Sequence, residues 1–280
     1  MSQQLKASQL DLSNVKFSSL RTMDNGGKMV YLNYGDGIAP IYLQTPEVDL
    51  PFDPSYFADN ETSGKYSIKF SMKGHDSEKA MKDFHDKLCE MDELLKGKAL
   101  ENCFAWFKKQ KMSADTIDTL YTPLVKVSVD KETGEPDGKY APQCGFKLVK
   151  RDGKFQCSVY DNQKNNYDIN KETENPVDVE NVLTKGAKVK AVLRCTGVWI
   201  ANGKFGCGWR AEQIRVKVPE AGLREYAIMS DSEDEDTPEV EETQTNLIDD
   251  SDDDDEPEKV EEVEKKKPVT KSRKVKISKK

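Results

Sequence analysis

Histidine is almost missing from this chain. Only His75 and His85 occur in 280 residues, so no Ser/His/Asp or Cys/His constellation can be read. The Asp and Glu residues form no motif spacing that names a metal or acid/base role. An enzyme is therefore not expected, and no cofactor is implied. The six cysteines (Cys89, Cys103, Cys144, Cys157, Cys195 and Cys207) are spaced too widely for CxxC pairs. That argues against a zinc ribbon or finger and for six reduced thiols in a cytosolic or nuclear protein. No apolar run reaches about 18 residues, so no helix is expected to span a membrane. Met1 to Leu10 has neither a charged n-region nor an apolar h-region, so no signal peptide is expected.

Charge is plentiful but segregated. The net charge is −8. Residues 230–264 carry 19 acids and one base, Lys259, while 265–280 carry nine bases and no acid. The body, residues 1–229, is left near neutral at +1. The chain therefore reads as a folded body of 1–229, an acidic tail of 230–264 and a basic end of 265–280. The acidic tail has too few apolar residues to offset chain entropy and is expected to be disordered.

In the body, strands come first, then helices, then strands. Asn14 to Thr22, Lys28 to Tyr34, Ile38 to Leu43 and Lys65 to Met72 read as short strands, with Asp49 to Thr62 a loop. A helical insert occupies about 77–122. Met81, Phe84, Leu88, Met91 and Leu95 share one helical face, with Ser77 as N-cap and Gly97 as stop. A second helix carries Phe104, Trp106 and Phe107, and Ser113 caps a third that ends at Pro123. Leu124 to Val129 reads as a strand. Two hairpins follow, around Asp152-Gly153 and Asn202-Gly203, the pairs that type I′ turns favour. The absence of βαβ alternation argues against a doubly wound sheet. The expected class is mostly β with a helical insert (α+β), closed as a small barrel.

Pairing arithmetic across the hairpins places the side chains. On the first, Phe146, Leu148, Phe155, Cys157 and Val159 form a core face. Lys147, Arg151, Lys154 and Tyr160 form the other, with Tyr160 opposite Gly145. On the second, Val198, Ile200, Phe205, Cys207 and Trp209 face inward. Trp199 stands opposite Gly206, a ring over bare backbone, with Arg210 on its face. The apolar phase switches between Leu193 and Val198, and the simplest repair is a β-bulge near Thr196-Gly197. That bulge brings Lys188, Lys190 and Arg194 onto the surface of Trp199 and Arg210. Lys185 to Lys217 contains eight bases, Lys204 among them, and one acid, Glu212. Lysines and arginines interleaved with flat rings suit single-stranded nucleic acid, whose phosphates and base faces are both exposed. In the tail, Ser230, Ser232 and Ser251 each precede an acid by three residues and are candidate sites for an acidophilic kinase.

The β body with its helical insert, the closing hairpin GVWIANGKFGCGW (Gly197 to Trp209) and the acidic tail resemble the single-stranded DNA-binding proteins of nucleocytoplasmic large DNA viruses. Those proteins are similar to the replication single-stranded DNA-binding protein of podophages. The resemblance implies an OB-fold and sequence-independent coating of unwound template in viral replication and recombination. It also implies tail contacts to polymerase or helicase, and a homodimer in some members. The expected location is the host nucleus or a cytoplasmic viral replication site. One departure is KKKPVTKSRKVKISKK (Lys265 to Lys280), where the podophage tail ends in acids and an aromatic. This end reads as a nuclear signal, a nucleic-acid arm or a neutraliser of the acidic run. Two other readings fit the composition: a histone-chaperone-like acidic nuclear protein and a virion structural protein.

Overall fold

Alternation sets the barrel strands. In Gly64–Ser71 (β2 below), Tyr66, Ile68 and Phe70 are buried while Lys65, Ser67 and Lys69 point outward. The computed structural model describes residues 4–24 and 26–219. All of these lie in the first of two units, Met1–Arg224 and Glu225–Lys280. The acidic and basic tail segments, with Ser230, Ser232 and Ser251, lie outside the described residues, as does Asn25.

Five strands form a ring: β1 (Val48–Asp49), β2 (Gly64–Ser71), β3 (Gln143–Arg151), β4 (Lys188–Ala201) and β5 (Lys204–Lys217). β1 pairs antiparallel with β2 and β4, and β2 pairs antiparallel with β3. β3 runs parallel to β5 at Lys147↔Arg210, and β5 returns antiparallel along β4. The ring order is therefore 1-2-3-5-4, closing on β1. It is narrowly held at β1–β2 and β3–β5, where one residue pair joins each. Mostly β, with this closure, the body is consistent with an OB-like β fold. Phe70, Phe146, Leu148, Leu193 and Ile214 are buried between the strands, and Phe205 is buried against Trp106, Phe107 and Tyr121.

The long β4–β5 hairpin carries two bulges. Pairing numbers sum to 405 from Ala201↔Lys204 to Gly197↔Gly208, to 404 from Cys195↔Trp209 to Leu193↔Ala211, and to 405 again from Val192↔Gln213 to Lys188↔Lys217. Thr196 is thus the extra residue on β4, where the phase change required it. Glu212 is a second extra residue, on β5. Gly197 has φ +104°, and a Cβ there would lie 2.5 Å from the Val30 carbonyl oxygen, so glycine is required. Both hairpin turns have positive φ at both central residues, Asp152-Gly153 and Asn202-Gly203.

The helical segment comprises α1 (Lys79–Glu101), α2 (Cys103–Phe107) and α3 (Ala114–Leu120). The expected stripe of Met81, Phe84, Leu88, Met91 and Leu95 is buried. Its ends differ from expectation. Glu78, not Ser77, is the N-cap, and α1 runs through Gly97. Ala99 continues the buried stripe there, and its packing outweighs the roughly 1 kcal/mol that glycine costs a helix. Ser113 caps α3 by accepting the Thr116 N–H.

Four strand expectations also change. Ser55–Ala58, read as loop, is a strand paired with β2. Asn14 to Thr22 breaks into a 3-10 turn and two short strands. Leu124 to Val129 makes only isolated bridges. The hairpin at Asp152-Gly153 keeps two pairs, Lys150↔Phe155 and Arg151↔Lys154. Ser158–Tyr160 then leaves β3 and runs parallel to β5 beside Gln213–Arg215. It takes over the β5 edge beyond the short β3 pairing.

Candidate nucleic-acid interface

Outward positions of β2, β3, β5 and β4 make one surface. Lys69 pairs with Gly145, Lys147 with both Ser67 and Arg210, and Gly206 with Trp199. Two of these positions are glycine, and Gly208 is a third beside them on β5, so the surface is low in its middle. A Cβ at Gly206 would stand 2.8 Å from Trp199 Cζ2, and one at Gly208 would stand 3.9 Å from Trp199 Cδ1. The indole therefore lies along the bare backbone of β5. Gly145 is equally closed, since a Cβ there would meet the Ile68 carbonyl oxygen at 2.8 Å.

Beside the ring is a trough of about 260 Å³ lined by Lys69, Lys126, Lys147, Trp199, Gly145 and Gly208, with no carboxylate in its wall. Lys147 makes no ion pair among the described residues. Desolvation, then the nearby Lys65, hold its ammonium below the ordinary lysine range. Thr122, Pro123 and Leu124 form one wall. That wall is fastened by Asp92, a buried carboxylate on α1. It accepts hydrogen bonds from the Tyr121 hydroxyl at 2.6 Å and from the backbone N–H groups of Leu124 at 3.1 Å and Val125 at 3.4 Å. Burial raises the Asp92 pKa, and these hydrogen bonds oppose the rise.

The expected site residues divide into groups. Trp199 and Lys147 line the trough. One step along, Arg194 and Arg210 stand directly opposite each other. The bulged Glu212 carboxylate reaches both: it accepts from Arg210 Nε at 2.8 Å, while Arg194 Nη1 is 3.9 Å away. Lys204 and Arg151 are exposed next to the two turns, and Lys154 pairs with Glu172 at 2.6 Å.

One placement is corrected, and two residues lie apart from the trough. Tyr160 lies beside Arg215, not opposite Gly145, because its strand pairs with β5. Lys188 pairs with Asp49 at 3.8 Å. Lys190 lines a separate hollow with Lys6 and Asp83. These two lysines do lie on the outer side of β4. A 14-residue strand with bulges coils around the barrel, however, and carries its base away from Trp199.

Lys69, Lys126 and Phe52 were not foreseen. The Lys69 ammonium sits 5.7 Å from the centroid of the half-exposed Phe52 ring, at the edge of the trough. The alternation of Lys69 with Ile68 and Phe70 was a usable signal. Among the described residues no group of three or more His, Cys, Asp or Glu is arranged to hold a metal ion, and no helix is long and apolar enough to cross a membrane. All six cysteines are free.

The fold and site define a small closed β barrel with a lysine-and-tryptophan trough on its outer wall. The chain belongs to a family of unknown function, DUF5871, whose profile matches residues 69–229. No curated protein matches it. It is similar to the solved single-stranded DNA-binding protein from bacteriophage Enc34 in complex with ssDNA, at TM-score 0.39 and 14% identity over 73% of this chain and 97% of that one. It is also similar to gp2.5, a single-stranded DNA-binding protein encoded by bacteriophage T7, at TM-score 0.39 and 12% identity over 68% of this chain and 100% of that one.

Proposed function

We propose that the body is an OB-fold that binds single-stranded DNA without sequence preference. The observation that carries this is the trough: three lysines and a half-buried indole around bare glycine backbone, with no carboxylate in the wall. Lysines release counterions from phosphates, and a ring stacks on any base. A surface built this way binds and holds rather than reacts. The acidic segment 230–264 would compete with the strand for this surface and recruit replication partners such as polymerase or helicase. The role is coating of template during viral DNA replication and recombination, at a nuclear or cytoplasmic replication site. That part rests on the resemblance of the closing hairpin and tail.

The test is a titration of the full chain, at fixed salt, against a labelled single strand, the same sequence as duplex, and histones. Tight binding to the single strand alone supports the reading, and preference for duplex or for histones overturns it. A chain ending at residue 229 is expected to bind the single strand more tightly than the full chain. Equal or weaker binding would remove the regulatory role of the tail.

A further inference from the structure

The trough does not end at Trp199. On its far side, β4 pairs with the strand Lys28–Val30, and Trp199 stands directly opposite Met29. Met29 in turn stands opposite Arg21 in the strand Arg21–Thr22. These are register partners, so Arg21, Met29 and Trp199 project from the same side of one sheet. Tyr31 lies two residues beyond Met29, on that same side, and is 37% exposed. The Arg21 guanidinium is 5.5 Å from the centroid of the Tyr31 ring. Arg21 makes no ion pair among the described residues, and neither does Asp24, the acid of that turn. This added hairpin belongs to no part of the five-stranded ring. It extends the β4 edge with a cation, a thioether and an available ring.

We infer that Arg21, Met29 and Tyr31 form a second stacking subsite for the same nucleic-acid strand, which crosses β2, β3, β5 and β4 and then the Arg21–Val30 hairpin. This rests on the reading of the trough as a single-strand site. Six strands at a spacing of about 4.8 Å give a track of roughly 24 Å, in keeping with the roughly 4–16 nucleotides that one OB fold covers. The occupant is identified by continuity with the trough and by chemistry. Arg21 meets a phosphate, Tyr31 offers a face to a base, and Met29 bridges from the Trp199 ring. A strand too short to reach beyond Trp199 gains nothing from this subsite, whereas one that spans the sheet does.

The experiment measures fluorescence anisotropy of the full chain with oligothymidylates of about four and about sixteen nucleotides. The variants are Arg21→Ala/Tyr31→Ala and Arg21→Glu, and thermal melting runs in parallel. Both residues are at the surface, so unchanged melting is expected. The long oligomer should bind the double variant about tenfold more weakly, while the short one binds as before. Arg21→Glu should weaken the long oligomer as well. Unchanged affinity for the long oligomer in both variants overturns the subsite. Equal weakening of both lengths also overturns it, because the loss then does not depend on reach. If the unaltered chain binds neither length, the reading of the trough fails and the subsite fails with it. If the unaltered chain binds both, only the subsite is at stake.

Discussion

The base half of the β4–β5 hairpin carries Lys188, Lys190, Arg215 and Lys217 and the turn half only Lys204, yet the candidate site lies at the turn half. Toward the turn, Trp199 lies over Gly206 and Gly208, and the neighbouring Lys69 and Lys147 make no ion pair. Toward the base, Lys188 pairs with Asp49 and Arg215 with Glu47, both at 3.8 Å. Between them, Arg194 and Arg210 share Glu212. Density of positive charge therefore does not mark the candidate interface. What separates the halves is that small residues leave room for a base beside a ring only at the turn, where the lysines of the neighbouring strands also make no ion pair among the described residues.

The comparison breaks most visibly at two tryptophans of the turn half. Trp209 is 4% exposed and faces the barrel interior. Trp209→Ala should cost about 3–5 kcal/mol of stability, read by denaturant unfolding. Its buried indole N–H has no partner among the described residues, so Trp209→Phe, which keeps most of the ring's bulk, should cost far less. Trp199→Ala should instead leave melting nearly unchanged and remove about 1–3 kcal/mol of single-strand affinity. The reverse outcome, in which Trp199→Ala unfolds the protein and Trp209→Ala only weakens binding, would put the interface on the wrong side of the sheet.

Unpaired and paired lysines sharpen the contrast. Lys147→Ala should reduce the salt dependence of binding by about one counterion, and Lys188→Ala should leave it unchanged. Desolvation holds the Lys147 pKa below the ordinary lysine range, so its positive charge is lost as pH rises through that lowered value. Affinity should therefore begin to fall on the alkaline side before ordinary lysines titrate, and Lys147→Arg should remove this early decline. The smallest effect is expected between the halves. Glu212→Gln frees Arg194 and Arg210 from their shared carboxylate and should raise affinity a few-fold, on the order of one recovered phosphate contact. Lower affinity would mean that Glu212 instead holds the arginines in their binding geometry.

The turn half was legible because its information is local. A two-residue Asn-Gly turn sets the register, the register puts Trp199 over Gly206, and the switch from Leu193 to Val198 demands the Thr196 bulge. The Glu212 bulge carried the same signature: Phe205, Cys207, Trp209 and Ala211 are apolar at odd positions, and Ile214 and Val216 at even ones. Tyr160 was misplaced for a different reason. Its strand chooses β5 over β3 because barrel closure leaves that edge open, and nothing near Tyr160 in the chain records the choice. The same holds for Lys188 and Lys190, whose direction along β4 is local but whose position around the barrel is not.

The paired bulges have a consequence for how this hairpin can change in length. Each inserts one residue, on opposite strands, so the offsets cancel and the base half returns to the register of the turn half. Loss of Thr196 alone would set Cys195 directly beside Gly197, opposite the consecutive Trp209 and Gly208, and every pair from Cys195↔Trp209 to Lys188↔Lys217 would keep its partner. Loss of Glu212 alone would likewise join Ala211 to Gln213 opposite Leu193 and Val192. What either loss removes is the local kink and the added twist, not the pairing. The hairpin can therefore shed a residue at these two positions without moving a side chain to the other face, whereas one lost from a paired position would turn over its neighbours.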